Sequence, residues 1–128
     1  MRSIVTSQFR KMLEALPKQV QEDARAGFMK WKQDPQSVGW KRVAGMRADV
    51  HSVEIGLRWR ALGVVSKEHD AVVWVFAGSH ETYNNYISSH RKMSQGAWIK
   101  PDLQKRLEVR RESEAANEST PQPARRAP

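Results

Sequence analysis

The stretch Ala71-Val-Val-Trp-Val-Phe-Ala77, running on into Gly78-Ser-His-Glu-Thr-Tyr83, decides how the chain is organised. Seven apolar residues rich in Val and aromatics make a strand buried on both faces. The chain is expected to turn at Gly78 and to pass Ser79, a good helix N-cap, into a polar segment of helical character. His80, Glu81 and Tyr83 are thereby delivered to one rigid edge of the fold.

Working outward, Ser66-Lys-Glu-His-Asp70 is a polar turn, and Leu57 to Val65 reads as the preceding strand. Gly56 permits a tight bend before it. From Val50, His51, Val53 and Ile55 point one way, and Ser52 and Glu54 the other. Three strands joined by such short loops are antiparallel neighbours. Residues 36–49 have no clear period and read as a connecting segment anchored by Val38, Trp40, Val43 and Met46. Before them the period is helical. Phe9, Met12, Leu13 and Leu16 fall at i, i+3, i+4 and i+7, and Val20, Ala24, Phe28 and Trp31 form a second stripe. Pro17 stops the first helix and suits the first turn of the second, which ends before Asp34-Pro35. Ser3-Ile-Val-Thr6 fits a short first strand. The chain is therefore α+β, a helical hairpin that needs an apolar surface to cover, followed by a β-meander.

Beyond His90 the character changes. Met93 to Pro101 reads as a loop with Trp98-Ile99 tucked against the body, and Asp102 fits the cap of a short helix with Leu103 and Leu107 inward. From Glu112 to Pro128 there is almost nothing to bury. The expected division is one domain over residues 1–92 and a mostly flexible extension over 93–128.

Composition narrows the function. Twenty-two Lys+Arg against fourteen Asp+Glu give +8. Residues 101–128 hold six basic and five acidic groups, so residues 1–100 keep sixteen basic against nine acidic, or +7. A small body this basic seeks a polyanion or an acidic partner protein, although a surface charged for solubility alone has the same composition. The absence of cysteine rules out a disulfide framework and a thiolate metal site, and fits a reducing cytoplasm. Four scattered histidines without a His-x-x-x-His pair argue against structural zinc. No apolar run approaches about 18 residues, and the N-terminus lacks the hydrophobic stretch of a secretory signal. The expectation is a cytoplasmic protein with no membrane association, no metal and no small-molecule cofactor.

Several residues have the chemistry for a polyanion. Arg58 and Arg60 would share one face of a strand, and a planar guanidinium fork donates two parallel hydrogen bonds to a phosphate. Paired with Glu54 on a solvated face, the same two arginines would be structural. His80, at a helix start, can accept a proton as a general base, or make only a local hydrogen bond. Tyr83 lies one helical turn on and can donate to a nucleotide, stack beside it, or plug the edge of the core. Tyr86 and Ile87 are better core candidates. Lys41, Arg42 and Arg47 suit phosphate contacts that position a nucleic acid without reading its sequence. Trp40 can stack on a base, or anchor its loop beside Val38 and Val43.

In this order, the Leu16-Pro17 hairpin, Asp34-Pro35, Ser52-Val-Glu-Ile-Gly56, Arg60-Ala-Leu62 and Gly78-Ser-His-Glu-Thr-Tyr83 resemble the RelE/ParE superfamily of toxins from bacterial type II toxin–antitoxin systems. The resemblance covers roughly residues 1–90. It implies two helices packed across one face of a small antiparallel sheet, with the opposite, basic face receiving RNA in the members that cut it. Those members cleave mRNA, usually on the ribosome and without a metal, leaving a 2′,3′-cyclic phosphate and a free 5′-hydroxyl. By resemblance Arg60 is the arginine that stabilises charge on the phosphate, and His80 and Tyr83 serve proton transfer and substrate placement. Lys41, Arg42, Arg47, His51 and Arg58 become nucleic-acid-binding candidates. His51 and Glu54 depart from the aromatic and arginine of many relatives, and Glu54 reads either as a substitute base or as a neutraliser of Arg58. The implied partners are a cognate antitoxin wrapped over the basic face, mRNA and the ribosome. Two alternatives remain: a ParE-type DNA gyrase inhibitor, and a non-catalytic basic nucleic-acid-binding module.

Overall fold

The computed structural model describes residues 1–99. Its elements run β1 (Arg2–Val5), α1 (Ser7–Glu14), α2 (Lys18–Gln33), a 3-10 turn (Pro35–Val38), β2 (Lys41–Arg42), β3 (Val50–Ile55), β4 (Trp59–Ser66), β5 (Ala71–Ser79), α3 (His80–His90) and α4 (Gln95–Trp98). The strands make one sheet in the order β1-β5-β4-β3-β2. All neighbours are antiparallel except β1, which lies parallel to β5.

Local chemistry sets the ends of the helices. Thr6 caps α1, its Oγ1 accepting from the Phe9 N–H at 3.0 Å, and the same hydroxyl donates to the Trp74 carbonyl at 2.9 Å. Pro17 stands just ahead of α2 with extended ψ, so it closes the hairpin without costing α2 an internal bond. Asp34 ends α2, and its Oδ1 accepts from the Gln36 N–H.

The hairpin covers one face of the sheet as expected. Val20 and Trp31 of α2 are buried against Val53, Ile55, Ala61, Val72 and Trp74, with Phe9, Phe28 and Trp40 around them. Trp31 meets both Trp40 and Trp74 edge-on with centroids 5.5 Å apart, and Trp74 Nε1 donates to Ser3 Oγ at 2.7 Å. Trp40 is thus an anchor of the hairpin core, which removes it as a base-stacking platform.

The other face differs from the expectation of an open basic surface. α3, α4 and residues 43–48 cover it, and Val50, Leu62, Val64, Val73 and Phe76 meet Val43, Met46, Ile87, Trp98 and Ile99 in a second core. The cause lies in β5, whose apolar run is buried on both faces. Trp98 and Ile99 pack on this core, so residues up to Ile99 belong to the body. The expectations for residues 100–128 lie outside the described residues.

A β-bulge shapes β5. Leu62 pairs with Phe76 and Gly63 with Trp74, which leaves Val75 unpaired between them. Two residues apart normally means one face, yet Trp74 lies in the hairpin core and Phe76 in the other. The bulge switches the parity, and so directs everything from Phe76 to Ser79.

Three boundaries fall elsewhere than the sequence suggests. Gly78 is not a turn: it lies inside β5 opposite Arg60, and a Cβ there would stand 2.9 Å from the tip of the Phe76 ring. β4 begins at Trp59, so Arg58 sits in the hairpin turn after Gly56 (φ +60°) and not beside Arg60 on a strand face. Lys41–Arg42, expected to be irregular, form a two-residue edge strand on His51 and Ser52.

Candidate functional site

β4 and β5 leave one end of the second face uncovered by apolar side chains. There Arg60, at the start of β4, faces Gly78 on β5 and Glu54 on β3. Gly78, just ahead of the start of α3, contributes no side chain, and the tip of the Phe76 ring stands 2.9 Å from where its Cβ would be. Ser79 caps α3, its Oγ accepting from the Thr82 N–H at 3.2 Å, and the His80 N–H donates to the Arg58 carbonyl at 2.9 Å. Two backbone anchors thus fix the point at which the helix leaves the sheet.

That geometry brings Arg60, His80 and Tyr83 together. The Arg60 guanidinium lies over the Tyr83 ring, 5.4 Å from its centroid. Tyr83 is only 8 % exposed and leans on Phe76, with ring centroids 6.5 Å apart. The exposed His80 ring is 6.1 Å from the Tyr83 ring, and Asn84, one turn on, meets His80 Nδ1 at 3.4 Å. Asn84 did not stand out in the sequence, although its i+4 spacing from His80 places it on the same stripe of a helix. Tyr83 plugs the edge of the core, one of its expected roles, and is more buried than Tyr86, the expected core candidate. Tyr86 is half-buried, stacked on His90 at 4.1 Å, with its phenol pushed up by burial.

Arg60 has no anionic partner among the described residues. Its Nε is buried and has no hydrogen-bond partner among the described residues. Glu54 stands directly across the ladder but makes no ion pair with Arg58 or Arg60 among the described residues. Its carboxylate lies against the Gly39 backbone instead, where a Cβ on Gly39 would be 2.8 Å from Oε2. Glu54 therefore neither neutralises the arginines nor reaches the trio as a base. A buried, unpaired guanidinium N–H is costly unless a ligand completes it.

The remaining candidates are dispersed. Arg58 is exposed in the hairpin turn beside His80. Lys41 and Arg42 lie on the edge strand, two strands or about 10 Å from β4. Arg42 is bonded to Asp49 at 3.2 Å. Arg47 is bonded to the far end of α3, its Nη1 donating to the Lys92 carbonyl at 3.3 Å. His51 is on the wrong face. It pairs with Gly63, stacks on Trp40 at 4.6 Å, and contacts Asp49 at 3.5 Å. Burial holds its imidazole below the ordinary value, against the pull of Asp49. The sheet separates His51 from Arg60, so the two cannot touch one phosphate.

A cavity of about 360 Å³ opens on the hairpin side, lined by Phe9, Phe28, Trp31 and Trp74. Its lining is mostly apolar, with Arg10, Glu14, Arg25 and Glu54 among the charged members, and it lies across the sheet from the trio. Among the described residues no cluster of three or more His, Asp or Glu can hold a metal ion, and no helix is long and apolar enough to cross a membrane.

The ParE-like toxin domain family matches residues 18–85, just over half of the chain and the part that contains the trio. No curated protein matches. Among solved structures, the fold is similar to a chain of a RelBE toxin–antitoxin complex from Mycobacterium tuberculosis, with 22% identity and TM-score 0.52 over 62% of this chain and 96% of that one. A RelB–RelE complex from Methanococcus jannaschii gives 11% identity and TM-score 0.53, covering 65% of this chain and 96% of that one. A variant of the E. coli toxin RelE in its free state gives 16% identity and TM-score 0.53, covering 70% and 92%. At these identities the likeness is one of fold.

Proposed function

The chain belongs to the ParE-like toxin domain family of the RelE/ParE superfamily, and from that premise we propose that it is a toxin that cuts mRNA in the cytoplasm, on the ribosome. The observation that carries this reading is the Arg60–Tyr83–His80 row, in which the Arg60 Nε–H has no partner among the described residues. A gyrase inhibitor needs no such arrangement.

The reaction assigned to the row is a transesterification within the RNA. His80 accepts the proton of a ribose 2′-hydroxyl, and the 2′-oxygen bonds to the adjacent phosphorus. Arg60 donates to the non-bridging oxygens, where negative charge grows, a contribution of about 10²–10³ in rate. The bond to the 5′-oxygen of the next nucleotide breaks, and that oxygen takes a proton from the Tyr83 phenol. The products are a 2′,3′-cyclic phosphate and a 5′-hydroxyl. Every group in this scheme is a side chain of the protein, and no step in it is assigned to a metal ion.

Two of the similar solved structures are complexes with RelB antitoxins. We assign this chain a cognate antitoxin, an acidic protein suited to a body of net charge +7. The family description favours one second reading, inhibition of DNA gyrase in the manner of ParE. Expression without antitoxin separates the two. Cleavage of mRNA inside codons, abolished by Arg60→Ala or His80→Ala, supports the nuclease; intact mRNA with DNA-damage signalling refutes it.

A further inference from the structure

We propose that the solvent-facing stripe of α3 is a track for single-stranded RNA, running from His80 to a cation cluster formed by Arg47, Arg91 and Lys92. The proposal deepens the nuclease reading and rests on it, because it names the path of the substrate backbone beyond the scissile phosphate. It starts from helical spacing. His80, Asn84, Ser88 and Arg91 fall at i, i+4, i+8 and i+11, which puts them on one face, and all four are exposed. Between the two ends that face offers an amide and a hydroxyl able to bond phosphate or ribose, with the exposed Glu81 carboxylate at its margin.

The far end is where charge collects. The Arg47 N–H donates to the Arg91 carbonyl at 2.8 Å, and Arg47 Nη1 to the Lys92 carbonyl at 3.3 Å. Arg91 Nη1 donates to the Ala44 carbonyl at 3.2 Å. Carbonyls therefore fix both guanidinium groups in position without neutralising them. No carboxylate pairs with Arg47, Arg91 or Lys92 among the described residues, whereas neighbouring Arg42 is already taken by Asp49. One explanation is that cations at a helix C-terminus merely complement its dipole. That accounts for Arg91 and Lys92, but Arg47 arrives from a separate loop and adds its charge to theirs. Two fixed guanidinium groups and a lysine, none paired with a carboxylate among the described residues, match a polyanion better than a single carboxylate.

The distance suits a nucleic acid. From His80 to Arg91 the helix rises about 16 Å at ~1.5 Å per residue. That is on the order of five nucleotides at the ~3.4 Å stacked spacing of one strand. RNA that reaches His80 is thereby long enough to meet the cluster.

The test uses the full chain and a short labelled single-stranded RNA, its 2′-hydroxyls methylated so that binding is read apart from cleavage. Affinity is measured against salt concentration for the wild type, for Arg47→Gln/Arg91→Gln/Lys92→Gln, and for Lys92→Glu. The last removes no described side-chain bond and guards against a loop that fails to fold. Each single-strand phosphate contact contributes about 0.7 to the slope of log affinity against log salt, so the triple variant should lose about 2 and Lys92→Glu at least about 0.7. Wild-type slopes in both folded variants would overturn the track. So would unchanged RNA binding with weakened binding to polyglutamate, which would assign the cluster to an acidic protein. Cutting of unmodified mRNA is scored separately. A lowered slope in a chain that cuts no mRNA leaves the track standing and refutes the nuclease alone.

Discussion

Replacing Gly63 by alanine tests the bulge that orients the site. Gly63 lies in β4 with no positive φ, so alanine is conformationally acceptable, and in open space it would stabilise a strand by roughly 0.5–1 kcal/mol. The space is not open. A Cβ at Gly63 would stand 2.5 Å from Val72 Cγ2 and 3.2 Å from two atoms of the Trp74 ring. Val72 is fully buried, and Trp74 is held by Ser3, Phe9, Trp31 and Trp40. Neither can step aside cheaply, and overpacking of this kind costs about 1–3 kcal/mol. For a domain of this size, 1 kcal/mol moves Tm by about 4–8 °C. Gly63→Ala should therefore lower Tm by roughly 5–20 °C in a thermal melt followed by circular dichroism. Gly27→Ala is the matched control. Gly27 is in α2 with nothing within 4 Å of an added Cβ, and the change should raise stability by about 0.5–1 kcal/mol. A Gly63→Ala variant as stable as wild type would refute the register that sets Trp74 and Phe76 on opposite faces.

Five further outcomes follow from the structure. Tyr83→Phe keeps the ring beneath Arg60 and against Phe76, so it should melt like wild type and lose activity only through the phenol; Tyr83→Ala should cost about 3–5 kcal/mol of stability. Ser79→Ala removes the cap of α3 and should cost about 1 kcal/mol, measured by denaturant titration. Because burial lowers the proton affinity of His51, the unfolded chain binds the extra proton as pH falls below about 6.5, so this residue makes stability rise with pH through that range. His51→Phe keeps the stack on Trp40 and should flatten the difference in Tm between pH 7 and pH 5 relative to wild type.

Much of this was legible because each signal had one physical cause. The 3.6 period of Val20 to Trp31 identifies a helix and the face it buries, and the Val-rich run at Ala71 identifies a strand covered on both sides. Ser79 as a cap fixed the start of α3, and with it the neighbourhood of His80 and Tyr83. What the sequence hides is parity. A bulge adds one residue without changing composition, so nothing in Trp74-Val75-Phe76 shows that Trp74 and Phe76 part company. The same blindness extends to Arg58 and to Lys41–Arg42, since a hairpin turn and a two-residue edge strand are defined by pairing and not by pattern. Glu54 shows the remaining limit. Ladder register sets it opposite Arg60, but only the packing of Gly39 takes its carboxylate elsewhere.

The central claim is that Arg60, His80 and Tyr83 cut RNA. The direct measurement is a purified translation reaction, in which mRNA ends are mapped after addition of the full chain or of Arg60→Ala. Among the described residues Arg60 Nε has no hydrogen bond to lose and the guanidinium lies over the Tyr83 ring, so the variant should keep the fold. The wild type is predicted to cut mRNA to 2′,3′-cyclic phosphate ends, and Arg60→Ala to do so about 10²–10³ times more slowly. Intact mRNA with the wild type, or equal cutting by a folded Arg60→Ala, would contradict it.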